Sequence, residues 1–191
     1  MQLLANSPIM MQELKDLLEL NLERIDFIDM PVNLGFDCPL DLHCTYTRDQ
    51  ILIAMDYMTP SNVREGVKWL SEKQVDVFFI TLNKSDKDYS PTTMYNDYSI
   101  NENLFHWQSQ STTSETSSTG KRYINHRKAG SKIALFVREF KQDSIGAAPY
   151  TYLGTATYVK HSGSKPMNIT WHLDQSIPAK YLRKTNKLVV G

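Results

Sequence analysis

The sequence has little cysteine: two residues, Cys38 and Cys44, in a chain of 191. Two thiols do not make a disulfide framework. With His43 they could contribute to a metal site, but a fourth ligand is not evident and thiols without a metal are the better reading. No apolar run reaches transmembrane length, and the start of the chain lacks the basic residues and cleavage site of a secretory signal. The expected location is the cytoplasm, with no membrane partner. Catalytic signatures are missing as well. No Gly-rich loop ends in Gly-Lys-Ser/Thr, no G-x-S-x-G elbow is present, and no H-x-E precedes paired cysteines, which excludes a zinc deaminase. His106, His126, His161 and His172 are scattered without metal-ligand spacing. The expectation is a domain that is not itself an enzyme and needs no cofactor.

What is present is ordinary in amount and unusual in arrangement. Hydrophobic residues make up 41% and charged residues 22%, the composition of a globular domain. The net charge of zero hides a division. Residues 1–101 carry 8 Lys/Arg against 16 Asp/Glu, a balance of −8; residues 102–191 carry 13 against 5, a balance of +8. Such a split suggests a second half that faces a polyanion, or an acidic half that meets a basic partner.

The pattern along the chain changes from helix to strand. Ser7-Pro8 is a helix start, and Ile9, Met10, Leu14, Leu17, Leu18, Leu22 and Ile25 follow at helical spacing. Thr47-Arg48-Asp49-Gln50 fits a capping box before Ile51–Met55, and a short helix is expected over Ser61–Glu72. Val75–Leu82 is a continuous apolar run and reads as a buried strand. Asn83–Asn96 reads as a long loop. Strands are expected over Asn103–Gln110, Lys132–Lys141 and Tyr150–Lys160. A turn at His161–Pro166 then leads to a hairpin partner over Met167–Leu173, with a last edge strand at Leu188–Val190. Helices first and strands after predict an α+β architecture: an N-terminal helical part, 1–73, and a β-rich part, 74–191, either separate or joined in a single domain, with a curved, barrel-like, mostly antiparallel sheet.

One stretch asks for a ligand. Residues 109–119 hold nine Ser/Thr, and Gly120, Lys121 and Arg122 follow. Around it lie Tyr95, Tyr98 and Trp107, whose flat faces can stack on a nucleobase. Asp97, His106, Gln108, Gln110 and Ser111 can read a base's hydrogen-bonding edge. Thr112, Ser114, Lys121, Arg122, Arg127, Lys128 and Lys165 suit the flanking phosphates. Strand alternation sets Phe105 and Trp107 on one face and His106, Gln108 and Gln110 on the other, so core and pocket are equal readings for any one aromatic. The basic residues on their own would also suit a solvated surface. A further arrangement, Glu139-Phe-Lys141 after the apolar run from Ala134, matches the E-x-K arm of metal-dependent nucleases, but its acidic partner is poorly supplied: Glu115 and the distant Asp97 are the nearest candidates.

The stretches FHWQSQ (105–110), GKRYINHR (120–127), ALFVREFK (134–141), YLGTATYVKHSGSKPMNITWHL (152–173) and, more weakly, TYTRDQIL (45–52) resemble one family. It is the C-terminal domain of unknown function of bacterial helicases that carry a phospholipase-D-type nuclease, as in modification-dependent, Type IV restriction enzymes of the SauUSI kind. The resemblance implies an SRA/PUA-like fold and the role of target reader for duplex DNA bearing 5-methylcytosine or 5-hydroxymethylcytosine. It also implies helicase and nuclease domains on the same polypeptide as partners. Reading by base flipping agrees with the residues, because flipping exposes the whole base edge. A methyl group in an apolar pocket is worth only about 0.8 kcal/mol, and thymine has it too. An acceptor facing the exocyclic N4 amine must therefore reject thymine, and Asp97, Gln108 or Gln110 could supply it. An interaction module without DNA contact and an RNA reader remain the alternatives.

Overall fold

The computed structural model describes residues 7–24, 30–83, 97–177 and 182. The chain divides into two compact units, Met1–Met30 and Pro31–Gly191. The first unit holds helix α1, Pro8–Arg24. Its start is the expected one: Pro8 opens the helix, where a missing N–H costs no bond, and the Met10 N–H donates to Ser7 Oγ at 3.4 Å.

The second unit is built on a sheet. Its strands are β1 Thr45–Tyr46, β2 Val67–Leu70, β3 Val75–Thr81, β4 Tyr98–Ser99, β5 Leu104–Gln108, β6 Lys132–Arg138, β7 Tyr150–Ser162 and β8 Asn168–Leu173. They pair in the order β2-β3-β6-β7-β8-β5-β4, and β1 adds to β7. Every pair is antiparallel except β3 with β6, which is parallel in the register Val75↔Lys132 to Thr81↔Arg138. Among the described residues the ladder ends at β2 and β4 and does not return on itself, so the sheet is open. This corrects the expected barrel-like closure, while the mixed α+β content stands.

The reason is legible in β3. All seven residues of Val75–Thr81 are buried, as befits a central strand covered on both faces. Val75, Val77 and Phe79 join Ala134, Phe136 and Tyr152 under helix α2, Arg48–Ala54, which contributes Ile51 and Leu52. Phe78 and Ile80 join Phe105, Trp107 and Trp171 on the other face, under Tyr123 of helix α3, Ser118–Asn125. A barrel has one inner face, whereas this sheet buries two.

Local expectations fare unevenly. The capping box forms in full: Thr47 Oγ1 accepts the Gln50 N–H at 3.2 Å and Gln50 Oε1 accepts the Thr47 N–H at 2.8 Å. The helix expected over Ser61–Glu72 is instead one 3-10 turn, Pro60–Asn62, followed by β2. Tertiary pairing overrides the weak helical spacing there, since Val67 to Leu70 find partners in Phe78 to Val75. The 73/74 boundary drawn from the sequence falls in the turn of that β2–β3 hairpin, inside the second unit. The expected strand at Leu188–Val190 and most of the Asn83–Asn96 loop lie outside the described residues. No described helix is long and apolar enough to cross a membrane.

Candidate functional site

The parallel strands β3 and β6 both end, at Thr81 and Arg138, on the same side of the sheet. Carboxyl ends of parallel strands are where open sheets leave crevices for ligands. A cleft of about 690 Å³ opens there. It is walled by the start of α2, the Arg64–Val67 segment, the end of β5, the residues that follow β6 and the first residue of β7.

Two arginines and two aromatic rings form one side. Arg48 donates from Nη1 to the Val63 carbonyl at 3.0 Å and from Nη2 to the Tyr150 hydroxyl at 3.3 Å, and lies 4.9 Å over the Phe79 ring. Arg138 donates from Nε to Thr81 Oγ1 at 2.9 Å and from Nη1 to the Ala148 carbonyl at 3.1 Å, with its guanidinium 4.4 Å over the Tyr150 ring. Phe79 and Tyr150 meet edge to face at 5.3 Å. Local folding puts these groups here. Arg48 is the first residue of a well-capped helix, and Arg138 is the last residue of a central strand.

Asp97, Trp107, Gln108 and Gln110 line the cleft as well. Asp97 is 2% exposed, and its Oδ1 accepts the Gln108 backbone N–H at 2.9 Å. The Gln108 amide donates to Asn168 Oδ1 at 3.1 Å. Gln110 Oε1 accepts from Thr113 Oγ1 at 3.2 Å and from the Tyr123 hydroxyl at 3.3 Å. Burial pushes the Tyr123 phenol far above its ordinary range, so it stays a neutral donor to Gln110. Trp107, 5% exposed, packs on Phe78 at 4.2 Å between ring centroids. Of its two equal readings it takes mainly the core one, while it also lines the cleft.

The remaining expected site residues separate into other places. His106 stacks on Tyr98 at 4.7 Å and 11°, away from the cleft wall. Tyr95 lies outside the described residues. The Ser/Thr stretch is an ordered turn that binds itself. Thr113 N–H reaches the Gln110 carbonyl, Ser117 N–H and hydroxyl both reach the Ser114 carbonyl, and Ser117 Oγ caps α3 by accepting the Gly120 N–H at 3.1 Å. Ser114 is buried, while Ser111 and Thr112 are exposed at the turn. Part of this hydroxyl-rich stretch is thus used locally, with Ser117 starting the helix. The turn is also tied to the β7–β8 connection, through Lys165 N–H to the Thr113 carbonyl at 3.1 Å and His161 Nε2 to Glu115 Oε2 at 3.1 Å.

Arg122 is the clearest departure from expectation. Its Nε and Nη2 hold the two oxygens of Asp76 at 2.7 and 2.9 Å, and its guanidinium stacks 4.4 Å over Trp69. It is a structural clamp rather than a part of the cleft. Lys121, Arg127, Lys128 and Lys165 are exposed and outside the cleft wall. Arg127 lies instead on a second, more polar groove of about 530 Å³ with His126, Lys132 and Asp174.

For a metal, the described residues hold no group of three His, Cys, Asp or Glu side chains. Cys38 and Cys44 are half-buried and form no disulfide; Cys38 Sγ donates to the Ala54 carbonyl at 3.7 Å, and burial raises its pKa. In the E-x-K arrangement Lys141 lines the cleft, and the Glu139 carbonyl accepts the Asn83 N–H at 2.8 Å.

Residues 40–184 match a family described as a domain of unknown function, DUF3427. The chain belongs to this family. The DUF3427 match takes in the whole sheet and both helices that cover it, and every residue of the cleft lies within it. No curated protein matches the chain.

Sequence reasoning missed Arg48, Arg138, Phe79 and Tyr150 as site residues. Arg48 reads from sequence as a helix-start residue and Arg138 as part of a strand. Their meeting on Tyr150 joins positions 102 residues apart, and no local pattern signals it.

Proposed function

We propose that this domain is a DNA-reading module that recognises a modified cytosine, 5-methylcytosine or 5-hydroxymethylcytosine, taken out of a duplex into the cleft. On this reading it is the SRA-like target reader of a Type IV restriction enzyme, with helicase and nuclease domains as its partners and no catalysis of its own. The observation that carries the reading is the composition of the cleft wall: a buried carboxylate, Asp97, and two side-chain amides, Gln108 and Gln110, share one cavity with arginines. Its volume lies within the usual range of small-molecule sites, roughly 300–1,000 Å³. A duplex base cannot reach such a cavity, but a flipped one can, at a cost of a few kcal/mol of unstacking. An oxygen of this acid or of the Gln108 amide facing N4 accepts from cytosine and meets only the O4 acceptor in thymine, which separates the two bases where the methyl group cannot.

Outside the cleft, the exposed Lys121, Arg127, Lys128 and Lys165 supply sequence-independent attraction to the backbone, together with the +8 balance of residues 102–191. The deciding experiment is binding of matched duplexes bearing C, 5-methylcytosine, 5-hydroxymethylcytosine or T at one site. Tighter binding of the modified cytosines than of both C and T is the expected result. Equal affinity for all four removes the reading. In Asp97→Asn the rejection of T should weaken while salt-dependent binding to unmodified DNA stays.

A further inference from the structure

Arg48 and Arg138 present a problem that the reading of the base leaves open. Both cations converge on one ring: Arg48 on the Tyr150 hydroxyl at 3.3 Å, Arg138 over the Tyr150 face at 4.4 Å. Like charges gathered at a half-buried site repel, and a fold normally answers with a carboxylate. Here the described residues provide none within ion-pair distance of either guanidinium, in contrast to Arg122 with Asp76. The groups that do hold them, two carbonyls and two hydroxyls, are neutral acceptors.

These bonds also fix orientation without exhausting the donors. A guanidinium has five N–H groups in a planar fork, and the bonds to Val63, Tyr150, Thr81 and Ala148 use only some of them. Each guanidinium also lies over an aromatic ring, Arg48 over Phe79 and Arg138 over Tyr150. Two pre-oriented forks with unused donors, in a cavity large enough for a nucleotide, are the arrangement that recognises phosphate.

We propose that Arg48 and Arg138, seated on Phe79 and Tyr150, form a phosphate subsite that binds the phosphate of the nucleotide held in the cleft. The inference rests on the reading that the cleft takes a nucleotide, and it adds the anchor: the base is read elsewhere on the wall, and its own phosphate is gripped here. The lysines outside the cleft then serve the flanking backbone only.

The test titrates the 191-residue chain with 5-methyl-2′-deoxycytidine, its 5′-monophosphate, the unmethylated monophosphate and a duplex carrying one 5-methylcytosine. The methylated monophosphate should bind at least about tenfold more tightly than the nucleoside, the size of one charge-assisted hydrogen bond. Arg138→Gln should close that gap. Arg138→Lys, which keeps the charge and loses the fork, should recover only part of it, and Lys160→Gln, exposed and outside the cleft wall, should leave it unchanged. Thermal melting of each variant separates loss of the subsite from loss of the fold, since Arg138 also binds Thr81 and Ala148. If folded Arg138→Gln weakens the duplex and the free nucleotide alike, the phosphate is that of the DNA; if it weakens the free nucleotide alone, the subsite serves a free nucleotide. Equal affinity of nucleoside and monophosphate, or no binding of either, overturns the subsite. A phosphate-dependent gap with no preference for the methyl group keeps the subsite and overturns the modified-base reading instead.

Discussion

Arg122 closes its fork on Asp76, Nε to Oδ2 at 2.7 Å and Nη2 to Oδ1 at 2.9 Å, and Asp76 is completely buried while the arginine keeps a 23% exposed side chain. The pair ties α3 to the central strand β3. Burial pushes the Asp76 carboxyl upward and the arginine opposes that push, so the carboxylate depends on its partner. Arg122→Ala leaves an uncompensated buried charge and should cost about 3–5 kcal/mol in urea unfolding. Asp76→Leu with Arg122→Met should cost much less than the single change. Lys121→Ala, next door and exposed, should leave stability alone and lower the salt slope of DNA binding by about one. If Arg122→Ala instead kept its stability and lost DNA affinity like Lys121→Ala, the clamp would be a phosphate contact after all.

Gly120 is the closest approach in the Ser/Thr turn. A Cβ there would lie 2.0 Å from the Ser114 carbonyl oxygen and 2.8 Å from its carbon. Those are backbone atoms, the carbonyl held by the Ser117 N–H and hydroxyl, and they cannot swing aside. Gly120→Ala should therefore destabilise by at least the about 1–3 kcal/mol of an overpacked core. A melting temperature equal to that of the parent protein would mean the turn can open without cost.

These residues also show what the sequence conveyed. Thr47 and Gln50 form the capping box their spacing predicts, because a cap depends on four consecutive residues. Val75–Thr81 is the buried strand that its apolar run announces. The Ser/Thr stretch misleads for a physical reason: the hydroxyls that bind a ligand are the same groups that cap a helix, and only the backbone path decides between them. Trp107 and Gln108 alternate as expected, yet both reach the cleft because it wraps the end of β5. Arg48 and Arg138 stayed hidden because their meaning depends on Tyr150 and on the parallel pairing of β3 with β6, which is tertiary information.

His126 should set a pH dependence of stability. It is 3% exposed; Nε2 accepts the Tyr158 N–H at 3.0 Å and Nδ1 faces the Ser131 carbonyl at 3.2 Å. The ring is thus neutral with its proton on Nδ1, and a second proton would turn the Nε2 acceptor into a donor. Burial lowers its pKa below the ordinary 6.5; the nearby Arg127 adds to this, while the Ser131 carbonyl and Asp174 oppose it. With the folded value depressed, the unfolded chain binds the proton first as pH falls. The contribution of this histidine is complete above about pH 6.5 and declines as pH drops from there toward the folded pKa. Melting followed from pH 8 to 5 should show that decline in the parent protein, and a shallower one in His126→Gln. Identical slopes would assign the decline to other groups.

Trp107 tests whether the core and the cleft can be separated. Its ring lies against Phe78 at 4.2 Å, Tyr123 at 5.5 Å and Trp171 at 6.5 Å, so three other aromatic rings lose a neighbour in Trp107→Ala. The cost should be about 3–5 kcal/mol of stability, as for other large-to-small core changes. A stacking partner of a flipped base would behave differently, costing about 1–3 kcal/mol in binding to the modified site with the melting temperature little altered. Because Trp107 is only 5% exposed, Trp107→Phe should restore most of the stability and leave the preference for 5-methylcytosine intact. A folded Trp107→Phe protein that loses this preference, with non-specific DNA binding unchanged, would return the indole to the reading surface.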